Sequence, residues 1–422
     1  MSTASIAPEF AAYLRARDEV LRIKEYAGKR PADAPAPADP SVYWAEELAN
    51  IDYLVEASPL IVRKLRQHAF HITGIRPYDY RVKDDGRRQH FEQRLRALRG
   101  LGGDSLLVPE SPALGGFGYA IDGQLFNVDT LKFFEVLIGM ERAGVLAALR
   151  RLERPVVCEI GAGWAGFAYQ FKTILPRTTY VLVDFPELFL FSATYLGTLF
   201  PGARLLFCGA ADPSSPDGWR DADFVFVPNA LAHFVSALPL DLAVNMVSFQ
   251  EMTDAQVRGY ASIAAAAGCP LIYSLNRERS PYNTELVSVS QALADSYRLT
   301  EVPVLETDYT SAMKKPPKAT RMVERSELAY RHLVGRLDVA AARPRAARRR
   351  TTEDDAPPRS AGDPRVVLGM PLHNNAANLP EALDSLLAQS YGQFLLVLLD
   401  DASTDATEQV ARRYAAQDPR IR

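Results

Sequence analysis

Cysteine is scarce in this chain: three in 422 residues, Cys158, Cys208 and Cys269, each far from the others and in or beside an apolar, strand-like run. That spacing excludes a disulfide framework, and no CxxC or Cys/His cluster offers zinc a ligand set, so reduced core thiols are expected. A basic surplus is also missing. Lys and Arg number 48 against 51 Asp and Glu, a net charge of −3, which excludes a whole-chain field drawing nucleic acid. No apolar run approaches membrane-spanning length, and "MSTASIAPEF" lacks the apolar core of a secretory leader; a cytoplasmic location without a transmembrane segment is the expectation. What remains is ordinary for a soluble protein, 48% hydrophobic and 23% charged, with length enough for two cores or more.

Composition divides the chain. Residues 1–41 read as a flexible N-terminus, because "RPADAPAPADPS" is a Pro/Ala/Asp joint. Residues 42–150 read as a helical region: "YWAEELANIDYLVEASPLIVRKLRQHAF" and "GRRQHFEQRLRALRGL" carry apolar residues at helical spacing. "PALGGFGYAIDGQLFN" reads as a hairpin or loop, and "DTLKFFEVLIGMERAGVLAALRRL" as one long helix capped by Asp129. From 151 to 335 short β-rich runs alternate with helix-length segments, "VVCEI", "TYVLVD", "RLLFCG", "FVFVP", "LAVNMV" and "PLIYSL", the rhythm of a parallel α/β sheet. Either "RLLFCG" or "FVFVP" is the third core strand, and "YRLTEVPVLE" with "ATRMVER" is the expected closing antiparallel pair. Residues 336–364 have almost no large apolar side chains and read as a disordered, solvated linker. Strand, helix and strand resume over 365–422, where Asn378 and Glu381 form a capping-box-like start. A lone βαβ unit leaves apolar faces uncovered, so a longer protein is expected.

Gly161, Gly163 and Gly166 follow the strand "VVCEI" directly and open a helix. Glycine allows the sharp turn and close ligand approach, and the helix N-terminus adds partial positive charge. Asp184 ends the next strand, where a carboxylate accepts both hydroxyls of a ribose. Dinucleotides and S-adenosylmethionine share this geometry. Glu159, two residues before Gly161, separates them: it repels a pyrophosphate but favours an ammonium or sulfonium.

These residues resemble the first motif of class I methyltransferases, an acidic residue followed by G-x-G. More narrowly, "CEIGAGWAGFAYQF", "YVLVDFPELFLFSATYL", "LAVNMVSFQEMTDAQVRGY" and "LIYSLNRE" are similar to the sugar O-methyltransferase family over residues of about 42–330. The resemblance implies a Rossmann-like sheet, S-adenosylmethionine as cofactor without an indicated divalent metal, and methyl transfer to a hydroxyl of a sugar, nucleotide sugar or glycan. It departs from the pattern at Ala165, where a further glycine often sits, and in the long loop after "RLLFCG". Glu159, Gly161, Ala162, Gly163, Asp184, Phe185, Asp212 and Asn245 are the expected cofactor contacts, with Asp212 placed for the adenine amino group. An acceptor proton must be removed. Glu251, at the carboxyl edge of a strand, is one candidate base, with a helix cap as its plain alternative. His233 is the other, with a packing or surface role as alternative. Ser248, Asn127, Trp164 and Glu110 are candidate acceptor contacts, and Tyr43, Trp44, Phe117 and Tyr119 candidate stacking rings or simply core.

"VVLGMPLHNNAANLPEALDSLLAQSYGQFLLVLLDDASTDAT" resembles the start of family 2 glycosyltransferases of the GT-A fold. The resemblance implies that Pro371, Asn374, Asp400 and Asp401 line the base and ribose of a nucleotide sugar, while His373 replaces an aromatic residue. The metal-binding acidic motif and catalytic base of that family are absent, so this chain alone is not expected to transfer sugar. Two other readings stay open for the first part: a nicotinamide-dependent sugar oxidoreductase, and a catalytically silent scaffold. Oligomeric state is left open.

Overall fold

The computed structural model describes residues 7–28, 40–81, 85–208, 218–279, 288–305, 309–310, 329–338, 366–376, 378–387, 394–418 and 420–421. They fall into two compact units, 1–346 and 347–422.

The first unit opens with α1 (Pro8–Gly28), α2 (Val42–Ile51), the short α3 (Tyr53–Glu56), α4 (Leu65–His68) and α5 (Phe70–Thr73), then α6 (Asp85–Gly102). The expected flexible N-terminus is thus corrected. Tyr13, Ala16, Val20 and Ile23 form one buried stripe at helical spacing, and α1 packs it into the core beside the helix that follows Asp184. The joint at 29–39 lies outside the described residues. The hairpin is β1 (Tyr119–Ile121) and β2 (Gln124–Phe126), turning through Asp122 at φ 51° and Gly123 at φ 78°, a two-residue Asp-Gly turn. The single long helix is in fact two, α7 (Val128–Arg142) and α8 (Val145–Arg150), parted where Gly144 takes φ 73°. The cap of α7 is Asn127 rather than Asp129: its side chain accepts from the Thr130 N–H at 3.0 Å, and the Thr130 hydroxyl accepts from the Asn127 N–H at 2.8 Å.

The sheet comprises β3 (Val156–Ile160), β4 (Thr179–Asp184), β5 (Leu205–Phe207), β6 (Phe224–Pro228), β7 (Leu242–Met246), β8 (Leu271–Asn276), β9 (Tyr297–Glu301) and β10 (Arg331–Leu337), in the order β5-β6-β4-β3-β7-β8-β10-β9. All pairs are parallel except β10 with β8 and with β9. "FVFVP" is therefore the inner strand beside β4, and "RLLFCG" lies at the edge. The strand order reverses between β3 and β7, the switch point at which open α/β sheets hold ligands. The closing pair differs from the expectation, for the partner of β9 is Arg331–Leu337; "ATRMVER" lies outside the described residues. β10 also occupies residues 336–337, which the sequence assigns to the linker.

Each inner strand is buried on both faces. Val157, Tyr180 and Leu182 join the core beneath α7, α9 (Gly166–Ile174) and α10 (Phe189–Leu199); Cys158, Val181 and Val183 join the core beneath α11 (Asp254–Ala266) and α12 (Val289–Ala294). This double burial is why the strands read as continuous apolar runs. The second unit pairs β11 (Val366–Leu372) in parallel with β12 (Phe394–Asp400); α13 (Leu379–Leu387) packs on it through Leu379 and Leu383, and α14 (Thr407–Gln417) through Val410, Ala411 and Tyr414. α13 opens directly after Asn378, while the Glu381 side chain lies outside the described residues. Among the described residues no helix is long and apolar enough to cross a membrane.

Candidate functional site

From Ile160 the chain turns through Gly161 at φ 72° and Gly163 at φ 56° before entering α9. The Gly161 N–H donates to the Val183 carbonyl at 2.8 Å, tying the turn to β4. A Cβ on Gly161 would stand 2.2 Å from Ser248 Oγ, so glycine is required there on both counts. Ala165 is also left-handed, at φ 67°, and so is Val247 after β7, at φ 63°. Holding a residue with a Cβ there costs about 1–2 kcal/mol, and a β-branched residue such as valine is a rarer occupant still. Val247 lines the cavity described next, a setting where backbone strain commonly serves function.

A cavity of about 600 Å³ opens at the carboxyl edge of β3, β4 and β7, roofed by residues of α2, α5 and α7. Its walls are acidic: Asp79, Asp129, Glu159, Asp184 and Glu251 against Arg87 and Lys132. The Tyr180 hydroxyl donates to Glu159 Oε2 at 2.9 Å, yet burial pushes the Glu159 carboxyl up to about 8, with Asp184 adding to the rise and Lys132 opposing it. Asp184 accepts the Gly163 N–H at 2.6 Å and the Phe185 N–H at 2.8 Å; burial still raises it to about 7. Glu251 is likewise raised to about 8 by burial, against the hydrogen bond from Trp44 Nε1 at 3.1 Å.

Of the expected cofactor residues, Glu159, Gly161, Ala162, Gly163, Asp184 and Phe185 all line this cavity, as do Trp164, Ser248 and Glu251. Others do not. His233 is exposed on the 3-10 helix Asn229–Ala237 after β6 and does not line the cavity. Asn245 is fully buried behind the turn: its amide donates to the Ile160 carbonyl at 2.8 Å and to Ser248 Oγ at 2.5 Å, and its oxygen accepts from Phe249 N–H and Asn276 Nδ2. It braces the turn and does not line this cavity. Asn127 is the cap of α7 and Glu110 an ion-pair partner of Arg66 at 2.8 Å, neither lining the cavity. Phe117 and Tyr119 pack on Tyr80. Asp212 and the Tyr43 side chain lie outside the described residues.

Sequence reasoning missed three features. Asn229, at the end of β6, lines the cavity where Asp212 was expected; the signal, a polar residue ending "FVFVP", was readable once that strand is known to be the inner one. Tyr309 and Tyr330, whose rings lie 4.9 Å apart, line the end near Glu251, and nothing in their local sequence marks them. Lys132 closes a buried chain of charges. Glu110 pairs with Arg66, Arg66 with Asp129 at 2.9 Å, and Asp129 with Lys132 at 2.9 Å, while the Arg66 guanidinium lies 3.6 Å over the Trp164 ring.

In the second unit the ends of β11 and β12 bring an exposed polar cluster together. The Ser403 hydroxyl donates to Asp400 at 2.6 Å, the Asn374 side chain accepts the Thr404 N–H at 2.8 Å, and His373 Nδ1 lies 2.7 Å from the Asp401 carbonyl; Pro371 is exposed near the end of β11. Residues 368–422 match the family model Glycosyl transferase family 2. Among curated proteins the chain is similar to the putative glycosyltransferase EpsE of Bacillus subtilis, 45% identical over 13% of this chain and 19% of that protein. It is also similar to the uncharacterized protein y4gI of Sinorhizobium fredii, 46% identical over 14% of this chain and 7% of that one. The matched segments thus span a fifth or less of these relatives' lengths. Among solved structures, the bifunctional kinase-methyltransferase WbdD aligns with 51% of this chain and 41% of its own at 12% identity and a TM-score of 0.32. The methyltransferase domain of bacterial CtHen1 aligns with 50% of this chain and 100% of its own at 11% identity and a TM-score of 0.30.

Proposed function

We propose that the first unit is an S-adenosylmethionine-dependent O-methyltransferase acting on a hydroxyl of a sugar or glycan, joined to family 2 glycosyl transferase sequence. The acidic cavity at the glycine turn carries this reading. A ligand bearing an ammonium and a sulfonium gains from Glu159 and Asp184 once they ionise, whereas a pyrophosphate over the same turn meets them in repulsion. The residues present fit such a donor. Gly161 and Gly163 leave room for it against the backbone, Asp184 keeps lone pairs free for ribose hydroxyls, and Asn229 offers an amide to a base.

The bound donor supplies an activated methyl group; the chain's own residues supply the rest. Glu251 takes the acceptor proton, and a carboxyl held at about 8 is suited to proton transfer near neutral pH. Trp44 holds that carboxyl through Oε2 and stands against Phe185 at 5.9 Å between ring centroids, so one indole touches both ends of the site. Trp44, Tyr309 and Tyr330 offer apolar faces to a sugar ring. The sugar acceptor is supported by the resemblance around Asp184 and Glu251 and by the glycosyl transferase match of residues 368–422.

Calorimetry tests the donor: S-adenosylhomocysteine should bind and NAD(H) should not, and the reverse would favour an oxidoreductase. A mass-spectrometric screen of nucleotide sugars and glycans for added methyl groups tests the acceptor. Donor binding with every candidate left unmethylated would favour the silent scaffold.

A further inference from the structure

Among the described residues, Lys132 is a cation of the cavity wall fixed by a buried network. Its ammonium donates to Asp129 Oδ1 at 2.9 Å, and it lies 4.9 Å over the Phe133 ring and 5.7 Å over that of Tyr309. Asp129 is fully buried and spends its other oxygen on Arg66, itself fully buried and anchored by Glu110. Such a chain of buried charges is costly to assemble and is weak evidence for stability, so its end at a cavity calls for another reason. An ammonium has three N–H donors, and one is engaged by Asp129. Placement comes from the helix: α7 packs on α9, and Phe133 stands so close to Gly166 that a Cβ there would meet it at 2.6 Å. Lys132 is thereby held beside the glycine turn, near enough for its charge to act on the Glu159 carboxyl.

An anionic and a cationic group therefore line the same cavity, Glu159 and Lys132. A single ligand that answers both carries an ammonium and a carboxylate on one carbon, and the amino-acid head of S-adenosylmethionine is that zwitterion. We propose that Lys132 binds the α-carboxylate of the methyl donor while Glu159 faces its α-ammonium, so that Lys132 selects donors with an intact amino-acid head. The inference rests on the donor reading above. It assigns Lys132 to the donor and away from any acidic group of the acceptor.

The experiment is calorimetry on the full chain with two ligands that differ only in the carboxylate: S-adenosylhomocysteine and its decarboxylated counterpart, S-adenosyl-3-thiopropylamine. The wild type should prefer the first by about 10- to 100-fold, the range for one charge-assisted bond. In Lys132→Met that preference should fall to about onefold, with the decarboxylated ligand bound as before. Lys132→Gln, which keeps a donor toward Asp129, should show the same collapse and guards against a misfolded Met variant. A preference that survives in both variants overturns the inference while leaving the donor reading intact. If neither ligand binds the wild type, the donor reading falls and this inference with it.

Discussion

Glu159, Asp184 and Glu251 are held well above the ordinary carboxylate range by the same cause, burial around a cavity, with values of about 8, 7 and 8. The folded state therefore keeps protons that the unfolded chain releases at lower pH. Their contribution to stability is fully present below the ordinary carboxylate pKa and is lost as pH rises through 7 to 8. The melting temperature of the ligand-free protein should accordingly fall from about pH 4–5 to about pH 8 and level off above it, and Glu251→Gln should flatten part of that fall. A flat wild-type profile would mean these carboxyls ionise at little cost. A cationic donor changes the sign: its binding favours the ionised forms, so S-adenosylmethionine, which carries a sulfonium beside its ammonium, should bind more tightly as pH rises and release protons in buffers of differing ionisation heat. At Gly161 the demand is steric. A methyl group overlapping Ser248 Oγ on a left-handed backbone should make Gly161→Ala about 2–4 kcal/mol less stable in denaturant melts. Glu159 and Gly161 were legible because both sit in one short stretch whose strand-turn-helix form is local. Lys132 was not, since nothing in its local sequence sets it apart from any other lysine on an amphipathic helix, and Asp129 read as the cap of that helix; only the packing of α7 on α9 brings both to the cavity.

Among elements, α7 organises the roof of the site, and its start depends on one side chain. Asn127 caps the Thr130 N–H and also donates to the Phe117 carbonyl at 2.8 Å. Asn127→Ala removes a cap worth about 1–2 kcal/mol and strands a buried carbonyl for about 1–3 more. The expected loss, about 2–5 kcal/mol in a denaturant melt, should leave S-adenosylhomocysteine affinity of the folded protein within about threefold of wild type, because the residue lies off the cavity. A large affinity loss without a stability loss would return Asn127 to the binding site. The sequence reading placed this cap at Asp129 because both residue types cap helices and local pattern does not choose between them. The reciprocal bond with Thr130 does. α1 was misread for a different reason: its stripe of Tyr13, Ala16, Val20 and Ile23 is periodic but small and interspersed with charge, and the adjoining Pro-rich joint dominated the composition. Tertiary burial against α10, fixed far along the chain, makes it a helix worth keeping.

At the scale of the whole chain, the alternation of strand and helix announced a parallel sheet, but strand order was not in it. Order depends on which faces and edges satisfy one another, so the inner place of β6 and the insertion of β10 between β8 and β9 appeared only in three dimensions. That insertion has a consequence for where the chain can be cut. The two cores of the first unit draw on residues up to Leu337, and the small core of the second begins at Leu368. Among the described residues, a chain ending at residue 338 loses no core side chain of the first unit and keeps every strand of its sheet. It should melt as the first unit does within the full chain and bind S-adenosylhomocysteine with unchanged affinity. Ending at residue 329 removes β10, which pairs residue by residue with β8 from Arg331 to Arg336 and with β9 from Leu333 to Leu337. It also removes His332, whose ring lies 2.9 Å from the Tyr273 hydroxyl and 3.0 Å from Glu135 in the core. Glu135 and Tyr273 are then left buried with fewer partners, at about 1–3 kcal/mol for each unsatisfied group, and two strand edges open to association. The shorter chain should therefore aggregate or melt far lower, and light scattering with calorimetry on the two truncations would separate them. Equal solubility and equal affinity would show that β10 is dispensable and that the sheet closes without it.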